Sequence, residues 1–304
     1  MGEQKYFAVF GNPVLHSKSP FIFNSAFEEA KIPATYLRIR PLSVQDIPQL
    51  IKNLPLAGAN ITAPFKESVL NLLDELSPEA QITGAVNTIV NNNQLKGYNT
   101  DVTGILNSFQ EANIQLENKQ CLILGAGGAA RATAYALKQA KAEVWITNRT
   151  ISKAQILANQ FDCKIINWNT FDVSKHFDMI ISTLLPNVMP PFFPSLKFNV
   201  LLEASYQPSE ISIWAQKMNK KIISGERWLL HQAIASFKLF TNQNAPIEIM
   251  SKGLKQQVSA HNSNICMFSF FQHNPVFPDC DLLIVAENND EFQKIKNEEI
   301  NKAD

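Results

Sequence analysis

Cys121-Leu-Ile-Leu-Gly125-Ala-Gly127-Gly128-Ala129-Ala130-Arg131 is the stretch whose reading decides the fold. Its apolar start has the length of a buried strand, its glycines make a turn, and its alanines open a helix. In such a unit Gly125 lets the chain turn sharply, and Gly127 lets backbone N–H groups come close to a pyrophosphate at the helix N-terminus. Ala130 takes the third, small position, where helix packs on strand. The same residues also suit an ordinary tight turn, so the next strand carries weight. Ala142–Thr147 runs into Asn148-Arg149-Thr150, where a unit built for NAD places an acid for the ribose hydroxyl. A guanidinium stands here, and no carboxylate. Its fork of donors suits a 2′-phosphate, which tilts the reading to NADP. The alternative is a solvated turn arginine.

Outward from this unit, short apolar runs alternate with amphipathic ones. Before it, Tyr6–Phe10, Thr35–Arg40, Ala59–Thr62 and Val86–Val90 read as strands, and Pro20–Ala30, Asp46–Asn53 and Lys66–Leu76 as helices. Asn91-Asn-Asn93 marks a hairpin turn with return strand Gln94–Tyr98, and Val102–Ala112 reads as a helix. After it, helices are expected at 128–140, 151–160 and 209–218, and strands at 142–147, 162–166, 178–182, 198–203 and 220–223. Glu226–Thr241 is a long helix able to pack back on the first half. The alternation implies an α/β protein of two domains: an N-terminal α/β domain and a Rossmann-type, doubly wound parallel-sheet nucleotide domain. The expected limits are 1–101 plus 226–258 for the first and 102–225 for the second. Residues 259–304 are left unassigned. Within them Cys266–Phe271 and Leu282–Ala286 are apolar enough to be strands, and the alternatives for this segment are a small hairpin, an interface or the stub of a lost or truncated domain. Asn288–Asp304 is nearly all charged or amide, which predicts a frayed end.

Composition narrows the class of function. The 304 residues are 45% hydrophobic and 18% charged, far from the disordered range. Lys+Arg and Asp+Glu both number 27, so no net field favours nucleic acid or an anionic membrane, and a small-molecule site is expected. The cysteines Cys121, Cys163, Cys266 and Cys280 lack metal-ligand spacing, so no metal is expected. Cys121 and Cys163 sit in apolar runs as core thiols, fitting a reducing compartment. With no secretory leader or membrane-length apolar stretch in the sequence, a cytoplasmic protein is expected.

Several polar positions in the first half carry chemistry. Lys66 follows Asn60-Ile-Thr62-Ala-Pro64-Phe65 and is expected to open a helix, whose positive end disfavours an ammonium and eases its deprotonation. Asp101 ends Gly97-Tyr-Asn99-Thr100 and reads as an N-cap that can still face a cleft. Ser17-Lys18-Ser19-Pro20 reads as an N-cap followed by proline, and equally as a cradle for a substrate carboxylate. Asn87-Thr88 suits either a strand or a site.

Together these fragments resemble the shikimate dehydrogenase family. FGNPVLHSKSP (10–20), GANITAPFK (58–66), GAVNTI (84–89), GYNTD (97–101), GAGGAARA (125–132) and TNRT (147–150) occur in that family's order, followed by the Tyr206 and Gln232 segments. The resemblance runs from about Tyr6 to Ala245, with a helix-like echo at Pro246–Val258. It implies NADPH-dependent reduction of 3-dehydroshikimate to shikimate, with Lys66 and Asp101 as the catalytic pair. It further implies Ser17 and Ser19 on the substrate carboxylate, Thr62, Asn87 and Gln232 on ring hydroxyls, and Tyr206 in the substrate cleft. The NADP positions it implies are Gly125, Gly127, Gly128, Ala129, Ala130, Asn148, Arg149, Thr150, Thr183 and Gly225.

The pattern is broken in places. The loop after strand 178–182 reads Ile181-Ser182-Thr183-Leu184-Leu185-Pro186-Asn187, Trp228 replaces the usual Met in Gly225-Glu226-Arg227-Trp228-Leu229, and Glu203 replaces an Asp. These changes bear on how a nicotinamide would seat. The readings in competition are a quinate/shikimate dehydrogenase paralogue and a non-catalytic protein sensing nucleotide or shikimate. A monomer or a homodimer is expected.

Overall fold

The computed structural model describes residues 3–257, 263–268 and 280–303. The chain forms two compact units, Met1–Asn99 with Ala233–Asp304, and Thr100–Gln232. The division therefore falls at Asn99 and Gln232, where the sequence suggested 101 and 225.

In the first unit β1 (Lys5–Phe10), β2 (Ala34–Arg40) and β3 (Leu56–Ile61) are parallel neighbours, with α1 (Ser19–Glu29) and α2 (Asp46–Asn53) as crossovers. β1 reads KYFAVF and is buried on both faces, as a central parallel strand must be. One face carries Ala8 and Phe10 into a core with Ile47, Leu50 and Ile51 of α2. The other carries Phe7 onto Phe27 of α1, ring centroids 5.2 Å apart, while Phe23 stacks on Tyr36 at 4.5 Å.

The segment after β3 departs from the helix expected at Lys66–Leu76. It forms turns, a single 3-10 turn at Leu70–Leu72 and a short strand β4 (Glu75–Leu76). Its backbone groups are claimed from outside: the Lys66 carbonyl accepts from Val86 N–H at 2.8 Å, and Asp74 N–H donates to Leu95 O at 3.0 Å. Carbonyls and amides taken by tertiary partners cannot sustain a helical ladder. Lys66 therefore does not open a helix. A short helix α3 (Pro78–Thr83), capped by the Ser77 hydroxyl, precedes the antiparallel pair β5 (Thr88–Asn91) and β6 (Leu95–Tyr98).

The second unit begins with α4 (Asp101–Glu111). β7 (Gln120–Leu124), α5 (Gly128–Gln139), β8 (Glu143–Thr147), α6 (Ile151–Phe161) and β9 (Lys164–Ile165) form one half. β10 (His176–Ser182), β11 (Lys197–Glu203), α7 (Glu210–Lys217) and β12 (Lys221–Ile223) form the other. The sheet is wholly parallel, ordered β12-β11-β10-β7-β8-β9, the doubly wound arrangement with its reversal between β7 and β10. Ala130, Ala132, Ala134 and Ala136 of α5 are all fully buried, and their small size brings the helix close to the sheet. Cys121 is buried, and burial pushes its thiol up to about 12, whereas Cys163 is only half-buried, at about 11.

The chain returns through α8 (Gly225–Thr241) and α9 (Ile247–Gly253), which packs on α1; Val258 and the rest of the helix-like echo's end lie outside the described residues. Then follow β13 (Ile265–Phe268), β14 (Leu282–Val285) and α10 (Asn289–Ala303). The first unit's sheet thus reads β13-β14-β2-β1-β3-β5-β6-β4. β13 and β14 are parallel, so they are not the expected hairpin; positions 269–271 of the expected first strand lie outside the described residues. Nor is the charged end frayed: Phe292, Ile295 and Glu299 share one buried face of α10. Their helical phase decides the outcome, where overall composition misleads.

Candidate active site

In the first unit the sequence candidates gather along one edge of the sheet, the one formed by the carboxyl ends of its central strands β1 and β3. The loop that follows β1 carries Ser17, and Ser19 opens α1 directly after it; both are buried. Thr62 follows β3, and its amide donates to Phe10 O at 2.9 Å, tying it to the end of β1. Asn87 precedes β5, which runs antiparallel to β3, so its backbone meets the end of β3: Ile61 N–H donates to Asn87 O at 2.9 Å. The Val86–Lys66 bond adds Lys66 to the same edge. Tyr98, paired with Thr88, ends β6 there too, and the unit's first segment closes at Asn99.

A buried polar network supports this edge, and the sequence reading missed it. Asn60 donates from Nδ2 to Asn87 O, Thr88 Oγ1 and Ser236 Oγ at 3.0, 2.9 and 3.1 Å, and accepts from Tyr36 OH at 2.7 Å. Thr88 Oγ1 donates to Asn87 Oδ1 at 3.1 Å. Burial holds the Tyr36 phenol well above its usual range, opposed by its bonds to Ser19 and Asn60 and by the Arg38 charge. Asn60 was visible only as a letter of NITAPFK. Ser236 lies 176 residues away, out of reach of any local pattern.

Helix starts differ slightly from expectation. Lys18 occupies the N-cap of α1 but its side chain does not cap the helix, its ammonium donating instead to Leu254 O at 2.8 Å; Ser19 is the first helical residue, and Ser17 Oγ accepts from Ser19 N–H at 3.3 Å. Likewise Thr100 is the N-cap of α4, and Asp101 is its first residue. The Asp101 carboxylate is therefore not the cap. It is buried, and Oδ1 accepts from the Trp228 indole Nε1 at 3.1 Å. A Cβ on Gly104 would lie 2.9 Å from Trp228 Cδ1 and 3.0 Å from Gln232 Cβ, so glycine is what lets α4 and the start of α8 approach. Gln232 Oε1 in turn accepts from Thr100 Oγ1 at 3.4 Å. Asp101, Trp228 and Gln232 thus form one group within the second unit.

The nucleotide candidates collect at the carboxyl ends of the parallel strands, where ligands bind in such sheets. Gly125 has φ +117°, and its amide donates to Thr147 O at 2.9 Å; Thr183 donates through both N and Oγ1 to Leu124 O. A Cβ on Gly127 would meet nothing within 4 Å, so the approach to the first turn of α5 is open, and its unpaired amides can hold a pyrophosphate. Arg149 and Thr150 are exposed, and Asn148 Nδ2 donates to Thr150 O, which shapes the turn. Gly225 is forced: a Cβ would lie 2.2 Å from Ser205 O and 2.8 Å from Tyr206 N, so it seats against the segment bearing Tyr206. Glu203 ends β11 buried, where desolvation pushes its carboxyl above the usual range, opposed by hydroxyl donation from Ser209 at 2.6 Å. These residues fit a dinucleotide carrying a 2′-phosphate.

Known proteins share this fold. A family model described as the shikimate dehydrogenase substrate binding domain matches residues 9–89, and one described as shikimate / quinate 5-dehydrogenase matches residues 108–186. The shikimate dehydrogenase (NADP(+)) of Carboxydothermus hydrogenoformans is 37% identical over 276 residues, covering 83% of this chain and 97% of its own length. The crystal structure of shikimate dehydrogenase from Aquifex aeolicus matches with a TM-score of 0.78 at 30% identity, over 84% of this chain and 100% of that one. The Thermus thermophilus enzyme, solved in complex with NADP(H) and shikimate, matches with a TM-score of 0.76 at 30% identity, over 83% of this chain and 99% of that one. By the extent and identity of these matches, the chain belongs to the shikimate dehydrogenase family.

Proposed function

We propose that this protein is an NADP-dependent shikimate dehydrogenase, which reversibly reduces 3-dehydroshikimate to shikimate on the route to chorismate and the aromatic amino acids. The observation that carries this reading is the convergence of Ser17, Ser19, Thr62, Lys66 and Asn87 on one edge of the first unit's sheet, over the buried Asn60 network. Hydroxyls and amides there suit a polyhydroxylated ring bearing a carboxylate. NADPH supplies the hydride. As negative charge develops on the ketone oxygen, the Lys66 ammonium stabilises it and donates the proton that makes the hydroxyl. Asp101 accepts the hydrogen bond of that hydroxyl, with its carboxylate oriented by Trp228. Ser17 and Ser19 bind the substrate carboxylate. Thr62, Asn87 and Gln232 bond the ring hydroxyls, and Tyr206 closes the substrate cleft.

Arg149 supports NADP over NAD, with Asn148 and Thr150 beside it and no acid at that turn. We place the protein in the cytoplasm as a monomer or homodimer, without nucleic-acid or membrane partners. The balanced charge gives no net field toward a polyanionic partner, and among the described residues no helix is long and apolar enough to cross a membrane.

Initial rates with shikimate and quinate, each against NADP and NAD, test the reading. The expected result is the highest kcat/KM for shikimate with NADP. A preference for quinate, or no turnover with any pair, overturns it.

A further inference from the structure

The segment after α9 has no counterpart in the family resemblance, and the relatives' near-complete coverage leaves unmatched a length of this chain close to that segment's own. It nevertheless reaches the proposed substrate edge at two points. The first is Glu299 of α10. Its side chain is 1% exposed, and Oε2 accepts from both Val14 N–H and Leu15 N–H at 2.9 Å. These two amides belong to the loop that carries Ser17 and leads into Ser19 at the start of α1, and Val14 O in turn accepts from Ser17 N–H at 3.0 Å. The other carboxylate oxygen lies 2.9 Å from Arg40 Nε, whose proton is directed to Asn12 Oδ1 of the same loop. The second point is Asp281, just before β14. Its carbonyl accepts from Arg38 Nη1 at 3.2 Å, while Arg38 Nε and Nη2 donate to Ser17 O at 2.9 and 2.7 Å.

A buried carboxylate taking two neighbouring backbone amides clamps that backbone in one conformation, because each bond is charge-assisted and no water replaces it when broken. A helix that only needed to cover the sheet could do so with apolar residues, as Phe292 and Ile295 do. The acid at position 299 costs desolvation, and what that cost secures is the geometry of residues 14–17. We infer that Glu299 is a positioning residue for substrate binding: through Val14 and Leu15 it fixes the loop that presents Ser17 and Ser19 to the substrate carboxylate. The C-terminal appendage is thus a working part of the substrate site. This rests on the proposed assignment of Ser17 and Ser19 as carboxylate ligands.

The test compares Glu299→Ala, Glu299→Gln and Ser17→Ala in the full chain, by steady-state kinetics and by calorimetric binding of shikimate and, separately, of NADP. Glu299→Ala is expected to raise the shikimate KM and Kd by about tenfold or more, with kcat within about threefold and NADP affinity unchanged. Glu299→Gln keeps a carbonyl for the two amides but loses the charge, so an intermediate rise is expected. Ser17→Ala should also weaken shikimate binding, and the double variant Ser17→Ala/Glu299→Ala should cost less than the product of the single effects. Unchanged shikimate affinity in both Glu299 variants, with Ser17→Ala still weakened, overturns the positioning role alone. Parallel loss of shikimate and NADP binding in both Glu299 variants also overturns it, by showing a general structural part. Unchanged affinity in Ser17→Ala overturns the underlying assignment, and this inference with it.

Discussion

Trp228 donates its indole N–H to Asp101 Oδ1 at 3.1 Å, joining two residues 127 positions apart in the chain. Asp101 is 4% exposed, so a lost protein donor is poorly replaced by water. Trp228→Phe keeps an aromatic ring and removes only the N–H. It is expected to lower kcat by about fivefold to twentyfold with little change in NADP affinity. Steady-state kinetics check this, and an unchanged kcat would show that the bond does not orient the carboxylate.

Arg149→Asp should move cofactor preference from NADP toward NAD. The change removes a phosphate-binding fork at the exposed turn after β8 and supplies an acceptor for a ribose hydroxyl. The ratio of kcat/KM for NADP to that for NAD is expected to fall by about tenfold or more. A ratio that does not move places Arg149 outside the nucleotide site.

Glu203 gives a pH signature. Desolvation raises its carboxyl above the usual range, with the Ser209 hydroxyl and the Ser205 amide opposing. The native state therefore holds this proton more tightly than the unfolded chain does. Its contribution is fully present below the unfolded value and is lost as pH rises through the raised native value. In Glu203→Gln that loss is absent, so urea unfolding from about pH 4 to about pH 8 should show the variant gaining on wild type as pH rises. A stability difference that stays constant over the range would refute the shift.

Removing residues 289–304 should destabilise the protein, because α10 buries Phe292 and Ile295 as well as Glu299. Two such apolar side chains returned to water correspond to a fall in Tm of about 5–10 °C after the ordering entropy of the helix is offset. Differential scanning calorimetry measures it. A truncated chain melting like wild type would mean that α10 contributes nothing to the fold.

How legible the molecule was in its sequence depended on distance along the chain. The strand, glycine turn and helix at 120–139 could be read because period and turn chemistry are local, and α2 was placed to the residue at Asp46–Asn53. The helix that the sequence expects Lys66 to open is replaced by turns, since Val86 and Leu95 take the segment's backbone partners, so the helix-dipole argument for Lys66 does not hold. The composition of the tail points to a frayed end, whereas the helical phase of Phe292, Ile295 and Glu299 gives α10 one buried face. Trp228 on Asp101, Ser236 on Asn60 and Glu299 on Val14 are pairings across 127, 176 and 285 residues, which only the folded chain brings together.

The central claim is that Lys66 performs the acid–base chemistry of ketone reduction, and turnover of Lys66→Ala at saturating shikimate and NADP tests it most directly. The account predicts a kcat lower by about 10²–10⁴-fold, with the shikimate Kd within about threefold of wild type. A variant that keeps more than about a third of wild-type turnover would contradict it, since general-acid help of that size cannot be removed without loss.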